Sequence, residues 1–304
     1  YAAADSGLAL AIAQLNDPAQ RKAILADTKG TGFYDAISRP EFKETLGERI
    51  DVTARLKGES LGAADLRLKI YSTGCVADCA RGRSVVSQII ALRGGLHQIP
   101  FATISARGGV DVSGPVTISN LSAGVRGMLM HAGGGIAHDE TVRRQVPPGV
   151  NPEQAEVAND SRYAKNPGDE FFQQWFGADK AFVQTQATRV ACQGECGASV
   201  AGVGQRIIWL EGDARLSAGV IGSVVAPVII IASGNLQISG DTRITGMIYS
   251  MAALTKVQMT NGFLDGALIA ENSVVISQGG VLSYNPQVLQ RAQSQLGVFV
   301  TVPG

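Results

Sequence analysis

Apolar residues near the start of the chain fall at Leu8, Ala11, Ile12 and Leu15, the spacing of one helix face. Asp17-Pro18 then offers an N-cap followed by proline at the first helical position, which predicts a second short helix carrying Ala23, Ile24 and Leu25. After the glycine-containing stretch 28–33 the period drops to two. Ile50, Val52 and Ala54 alternate with polar neighbours, as do Leu66, Leu68 and Ile70, and strands are predicted over 49–56, 64–72 and 84–92. A helix followed by a small antiparallel meander is an α+β unit.

From about Gly95 the texture changes. Residues 101–120 show short alternating strands broken by Gly108-Gly109 and Ser113-Gly114-Pro115, and the same texture runs from Gly204 to about Asn285. The segments 212–217, 234–239, 255–260 and 272–277 superpose as a loose repeat. Their last apolar residues are Leu216, Ile238, Met259 and Ile276, separated by 22, 21 and 17 positions, and each is followed by Ser or Thr. Repeats of this length built from short strands predict a β-solenoid, in which each coil stacks on its neighbours. A sandwich of short strands is the competing architecture. The longest apolar run, 224–232, contains Pro227 and reads as a buried strand.

The stretch 138–190 differs. It carries 14 charged residues in 53 positions, against five in the 60 of 227–286, and so marks a polar excursion. Within it Asn166-Pro167-Gly168, then Asp169-Glu170, precede Phe171, Phe172, Trp175 and Phe176, which predicts a helix with an apolar face. That helix is expected to lie on the solenoid and close one open end. The fold class expected is mainly β with an N-terminal α-helix: residues 1–94 a helix plus short antiparallel sheet, and residues 95–304 a β-solenoid with the polar insertion at about 138–190.

Composition supports many tight turns, with 37 glycines in 304 residues and only 17% charged. Lys+Arg and Asp+Glu balance at 26 each, so no net field draws nucleic acid or anionic lipid. No stretch of 18 apolar residues is present to span a bilayer. Because the sequence starts at Tyr1, it is expected to be a mature or trimmed form, with any membrane anchor upstream.

Candidate chemistry is sparse. The cysteines form two identical spacings, Cys75-x3-Cys79 and Cys192-x3-Cys196, which favour two local disulfides in an oxidising compartment. Four cysteines allow three connectivities, and a four-thiolate zinc site is the alternative, although zinc knuckles commonly use C-x2-C. Imidazole chemistry is limited to His97, His131 and His138; the last two flank a glycine run before Asp139-Glu140, in a spacing that matches no ligand motif. Stacked β-coils can host polysaccharide-cleaving sites, which need paired carboxylates. The candidates Glu211, Asp213, Asp241, Asp265 and Glu271 are scattered, with only Glu211 and Asp213 expected on one strand face. Arg81-Arg83 and Arg143-Arg144 are small basic clusters without aromatics beside them, and read as solvated surface. No catalytic, cofactor or metal residue is assigned.

Several stretches, in order, resemble the large PilX-like minor pilins of type IV pilus assembly. Tyr1-Ala2-Ala3-Ala4-Asp5-Ser6-Gly7-Leu8 is similar to the family's stretch after the membrane-spanning half of the pilin helix, with Asp5 in place of the usual Glu. Tyr71-Ser72-Thr73-Gly74, the following strand 83–89, and Cys192/Cys196 before Ile208-Trp209-Leu210-Glu211-Gly212-Asp213 extend the likeness. So do Ile221-Gly222-Ser223, Pro227-Val228-Ile229, Gly246-Met247-Ile248-Tyr249, Gly266-Ala267-Leu268-Ile269-Ala270-Glu271 and Val302-Pro303-Gly304, after which the family's Ser-Trp does not follow. The resemblance implies an inner-membrane anchor through an upstream helix, then incorporation near the tip of an extracellular pilus. Its implied partners are other minor pilins, a large tip adhesin and the major pilin; its implied role is structural. A tip receptor for DNA or a surface, and a carbohydrate-active β-helix enzyme, are the alternatives.

Overall fold

The computed structural model describes residues 2–17, 41–45, 51–62, 67–76, 83–93, 95–204 and 206–302. The fold is mainly β, with a helix at the N-terminus and parallel sheets. The chain divides into two compact units, one made of Tyr1–Arg93 with Gly297–Gly304 and the other of Gly94–Leu296. The last eight residues, expected with the second domain, thus belong with the first.

In the first unit, helix α1 (Ala2–Asn16) buries Ala4, Leu8, Ala11 and Leu15. These recur every three to four residues, so one stripe faces the protein while Asp5 and Leu10 face solvent. The stripe packs on an antiparallel sheet of strands Glu41–Thr45, Asp51–Gly62, Arg67–Val76, Arg83–Arg93 and Val298–Thr301, in that order. The C-terminal strand pairs Val298 with Arg93 and Thr301 with Ile90. Asn16, the last residue of α1, fixes this closing strand. Its amide donates to the Phe299 carbonyl at 2.9 Å and accepts from the Phe299 amide at 2.6 Å, as a neighbouring strand would. The short helix predicted after Asp17 lies outside the described residues.

The second unit is built on two parallel sheets, of twelve and seven strands. A segment that gives one strand to each is called a rung. In stacking order the rungs begin at Thr188, Ile207, Val228, Arg243, Phe263, Ile104 and Met130, numbered 1 to 7. The chain enters at rung 6, continues to rung 7, crosses to the far end, and builds rungs 1 to 5 back toward its entry. Rung 5 closes on rung 6 through Leu268↔Ile104 and Val274↔Val110.

Register in the seven-stranded sheet runs Leu216↔Ile238↔Val257↔Ile276, separations of 22, 19 and 19. The repeat predicted Met259 where the structure has Val257; Met259 instead pairs with Gly240. Both face the interior, and a slip of two residues preserves the face, so alternation cannot distinguish them.

The twelve-stranded sheet is apolar on both faces. Ile208, Leu210, Ile230, Ile248 and Leu268 point into the stack, whereas Trp209, Ile231, Tyr249 and Ile269 point out into a second core. Val228–Ala232 is accordingly buried at every position. Its outer face is covered by the crossover helices α2 (Ser161–Lys165), α3 (Gly168–Phe176) and α4 (Lys180–Gln186). The predicted aromatic helix is α3, but it lies flat along this sheet and does not plug an end. The rung 1 end is filled instead by Cys192, Cys196 and Val200 of the short helix α5 (Gly197–Val200). A last helix, α6 (Pro286–Gln295), adds Leu289 and Ala292 to the outer core.

Gly246 and Gly266 lie side by side within the strands Arg243–Ser250 and Phe263–Ala270 of rungs 4 and 5, at φ +148° and +147°. A Cβ on Gly266 would run into the Gly246 carbonyl oxygen, and one on Gly246 into that of Val228. Only glycine allows the backbones to stack there.

Candidate functional site

Three features of the second unit gather polar side chains: a clamp under the crossover, the bridged end rung, and the outer face of the seven-stranded sheet.

The clamp begins at Asp160, the N-cap of α2. Its carboxylate accepts the Arg162 amide at 2.9 Å and the Arg162 guanidinium at 2.9 and 3.2 Å, and it meets His131 Nε2 at 2.8 Å. Donation from Arg162 is the largest cause holding Asp160 well below the ordinary carboxylate range. His131 is buried, stacked on Tyr163 at 4.0 Å and tilted against Phe101 at 5.2 Å. Burial pushes the Tyr163 hydroxyl up to about 12. Phe101, His131, Arg162, Tyr163, Asn166 and Gln174 border a cavity of about 460 Å³.

Farther along, Glu271 is buried and accepts from Tyr249 Oη at 2.9 Å and Lys180 Nζ at 2.8 Å; Lys180 also meets Asp169 at 2.9 Å. Burial, with the Glu271 charge beside it, pushes the Tyr249 hydroxyl far up. A carboxylate between a phenol and an ammonium is a satisfied anchor, tying α3 and α4 to rungs 4 and 5. The aromatic residues add Phe172 on Phe176 at 4.4 Å and edge-on to Tyr249 at 5.1 Å.

The remaining carboxylates do not converge. Glu211 meets Arg189 at 2.6 Å, a contact that is the chief cause lowering its pKa. Asp213 accepts the Asn235 amide at 2.9 Å, Asp241 the Asn261 side chain at 3.2 Å, and Asp265 the Asn285 side chain at 3.0 Å. Burial raises Asp265. Glu211 ends its strand in the twelve-stranded sheet and Asp213 lies in the following turn, so the shared strand face expected for them does not form. The strand turns at Gly212, φ +82°, between the two.

His131 and His138 occupy different sheets of rung 7, with His138 Nε2 3.4 Å from Glu156. His97 lies near α3, its backbone amide donating to the Trp175 carbonyl. Asp139 is exposed and accepts from Thr141 on its own loop and from the Gly114 amide of another turn. Among the described residues no three His, Cys, Asp or Glu side chains gather as a metal ion requires. Arg144 pairs with Glu156 at 3.0 Å.

Cys192 and Cys196 lie at disulfide distance, Cα atoms 5.8 Å apart, and bracket the rung 1 turn. Cys79 lies outside the described residues, and with it the Cys75–Cys79 pairing, as does Arg81.

Among the described residues of this unit, no helix covers the outer face of the seven-stranded sheet. Two depressions lie on it. One, of about 450 Å³, is lined by rungs 1 to 4, including Asp213, Arg215, Asn235, Gln237, Leu254 and Lys256. The other, of about 310 Å³, is lined by rungs 5 to 7, including Gly109, Asp111, Gly135 and Ser273. Register aligns Glu195, Arg215, Gln237 and Lys256 across four strands. The sequence reading passed over this row because each member is a single polar residue, and only the pairing register unites them. Among the described residues no helix is long and apolar enough to cross a membrane. Scanned against protein-family models the chain matches none, and a comparison with curated proteins returns no match.

Proposed function

We propose that this chain is a minor pilin, a non-enzymatic structural and interaction subunit carried near the tip of a type IV pilus, with a β-solenoid as its second unit. The observation that carries the reading is the first unit's architecture. A helix lies on an antiparallel sheet, and the C-terminal strand returns to close that sheet beside Arg83–Arg93. The larger unit is thus an insertion between two adjacent strands of a pilin-like unit. The parallel ladders and the single interior core running through the rungs support the solenoid. A subunit bearing so large an insertion suits a filament end better than a closely repeated shaft. Before assembly it would reside in the inner membrane and periplasm, held by a helix upstream of Tyr1.

The test is a non-reducing pull-down of the 304-residue chain against the soluble domains of the other minor pilins and the tip adhesin of its pilus system. Saturable association with at least one is expected. Absence of association with all of them would overturn the assembly role.

A further inference from the structure

We propose that Asn261-Gly262, in the turn from rung 4 to rung 5, is a site of spontaneous deamidation, where the Asn261 side-chain amide becomes a carboxylate in the folded protein. The modification depends on this turn alone and not on the pilus reading.

Packing dictates the dipeptide. Asn261 is exposed in the bend between strands Leu254–Met259 and Phe263–Ala270, whereas the next residue is buried. A Cβ at position 262 would lie 2.6 Å from Sδ of Met259, a member of the interior core, so the turn takes glycine. Glycine is also the residue whose nitrogen is least shielded, because it carries no Cβ. The requirement of the core therefore sets the most reactive neighbour beside an exposed asparagine.

The reacting groups are not held apart by hydrogen bonds. The Gly262 amide donates none among the described residues, while its carbonyl accepts the Val281 amide at 3.1 Å. The Asn261 side chain donates from Nδ2 to Asp241, in the preceding turn, at 3.2 Å on the exposed surface. That bond engages the nitrogen that leaves and not the carbon that is attacked.

In the reaction the Gly262 nitrogen gives up its proton and bonds to Asn261 Cγ. The Cγ–Nδ2 bond breaks, and the nitrogen departs as ammonia, leaving a cyclic imide. Water then opens the imide at either carbonyl, giving aspartate or isoaspartate. Both products set a negative charge beside Asp241, and isoaspartate also lengthens the backbone just before the ladder that starts at Arg243↔Phe263.

The other asparagines lack one of these conditions. Asn151, Asn166 and Asn285 precede proline, whose nitrogen carries no hydrogen. Asn159 is exposed, but the amide that follows it, Asp160, is engaged by the Ala132 carbonyl at 3.0 Å. Asn120 is buried. Asn272 precedes serine and is only half-buried, which makes it the sharpest comparison.

The test is to age the folded 304-residue chain in mildly alkaline and mildly acidic buffer, then to map acidic species by ion exchange and tandem mass spectrometry. The tryptic peptide 257–291 carries Asn261, Asn272 and Asn285 together, so the rates are read within one fragment. Asn261 should convert at least about tenfold faster than Asn272, and faster in alkaline buffer, with isoaspartate among the products. Asn261→Gln should melt as the parent does and form no acidic species from this turn, because the larger ring closes far more slowly. A parallel incubation in concentrated urea separates the turn from the bare dipeptide. Conversion in urea with none in the folded chain overturns the proposal, since the turn then protects Asn261. So does conversion at Asn272 as fast as at Asn261, or an acidic species that persists unchanged in Asn261→Gln.

Discussion

Replacing Gly266 by alanine tests the stacking geometry most directly. Gly266 pairs with Gly246 at the centre of an eight-residue parallel ladder, Arg243↔Phe263 to Ser250↔Ala270. Two costs add. Holding an L-residue at φ +147° costs about 1–3 kcal/mol. The new Cβ meets the Gly246 carbonyl, backbone held by hydrogen-bonded strands on both sides, and forcing such a contact costs another ~1–3 kcal/mol. A total near 4 kcal/mol, at roughly 2–4 °C per kcal/mol for a unit of this size, lowers Tm by about 8–16 °C. Gly135→Ala is the matched control: nothing lies within 4 Å of its Cβ position, and its φ is outside the left-handed region. It should melt within about 2 °C of the parent. Calorimetric melts and urea titrations followed by circular dichroism give both numbers. If Gly266→Ala also melts within about 2 °C of the parent, the close backbone approach is not glycine-dependent and the reasoning fails.

Three other outcomes follow from the site. Phe172→Ala removes a fully buried ring between Phe176 and Tyr249 and should cost about 3–5 kcal/mol, with protease cleavage appearing first in the crossover 158–187. Asp160→Asn should cost about 1–2 kcal/mol at pH 7 through the weakened cap and the lost Arg162 and His131 contacts. Because the folded pKa of Asp160 is strongly depressed, the stability its charge contributes is fully present above the ordinary carboxylate pKa and is lost only as pH falls through the folded value; the gap between Asp160→Asn and the parent should therefore be widest at pH 7 and still most of that at pH 3 in urea titrations. Cys196→Ser opens a loop closed by residues four apart and should lower stability by about 2 kcal/mol, an effect reproduced by adding reductant to the parent and absent when reductant is added to the variant.

How much of this was legible in the sequence depends on the range of the signal. Local signals carried well. The stripe through Leu8, Ala11 and Leu15 gave α1, and Asn166-Pro167-Gly168 before four aromatic residues gave α3, with its start placed to within a residue. Alternation gave the strands of both units, and the run at Val228–Ala232 held the further clue of a sheet covered on both faces. Helix α6 had its own signals, an Asn285 cap, Pro286 at the first position and Val288, Leu289 and Ala292 on one side, which strand texture nearby obscured. Long-range facts did not carry. Nothing local tells rung 6 that its neighbour is rung 5, or that Val298–Thr301 belongs beside Arg83–Arg93. The candidate site was legible only in fragments. Glu271 was singled out as a carboxylate, but its partners Tyr249 and Lys180 lie 22 and 91 positions away. His131 was singled out beside His138 and Asp139, whereas its partner is Asp160.

The order of the rungs has a consequence for synthesis. Rungs 6 and 7 leave the ribosome first, and the strand at Ile104 gains its partner at Leu268 only 164 residues later. At translation speeds of about 5–20 residues per second, that interval is roughly 8–33 s. Throughout it the nascent chain carries a parallel edge of unpaired amides and carbonyls, Ile104–Ala106 and Val110–Val112, next to buried-type side chains. The stack cannot lengthen from that edge, because the rungs that complete it arrive from the opposite end. Its last-made interface joins the oldest strand to one of the newest, so a chain released before Ala270 keeps an adhesive seam that the finished molecule hides in its middle.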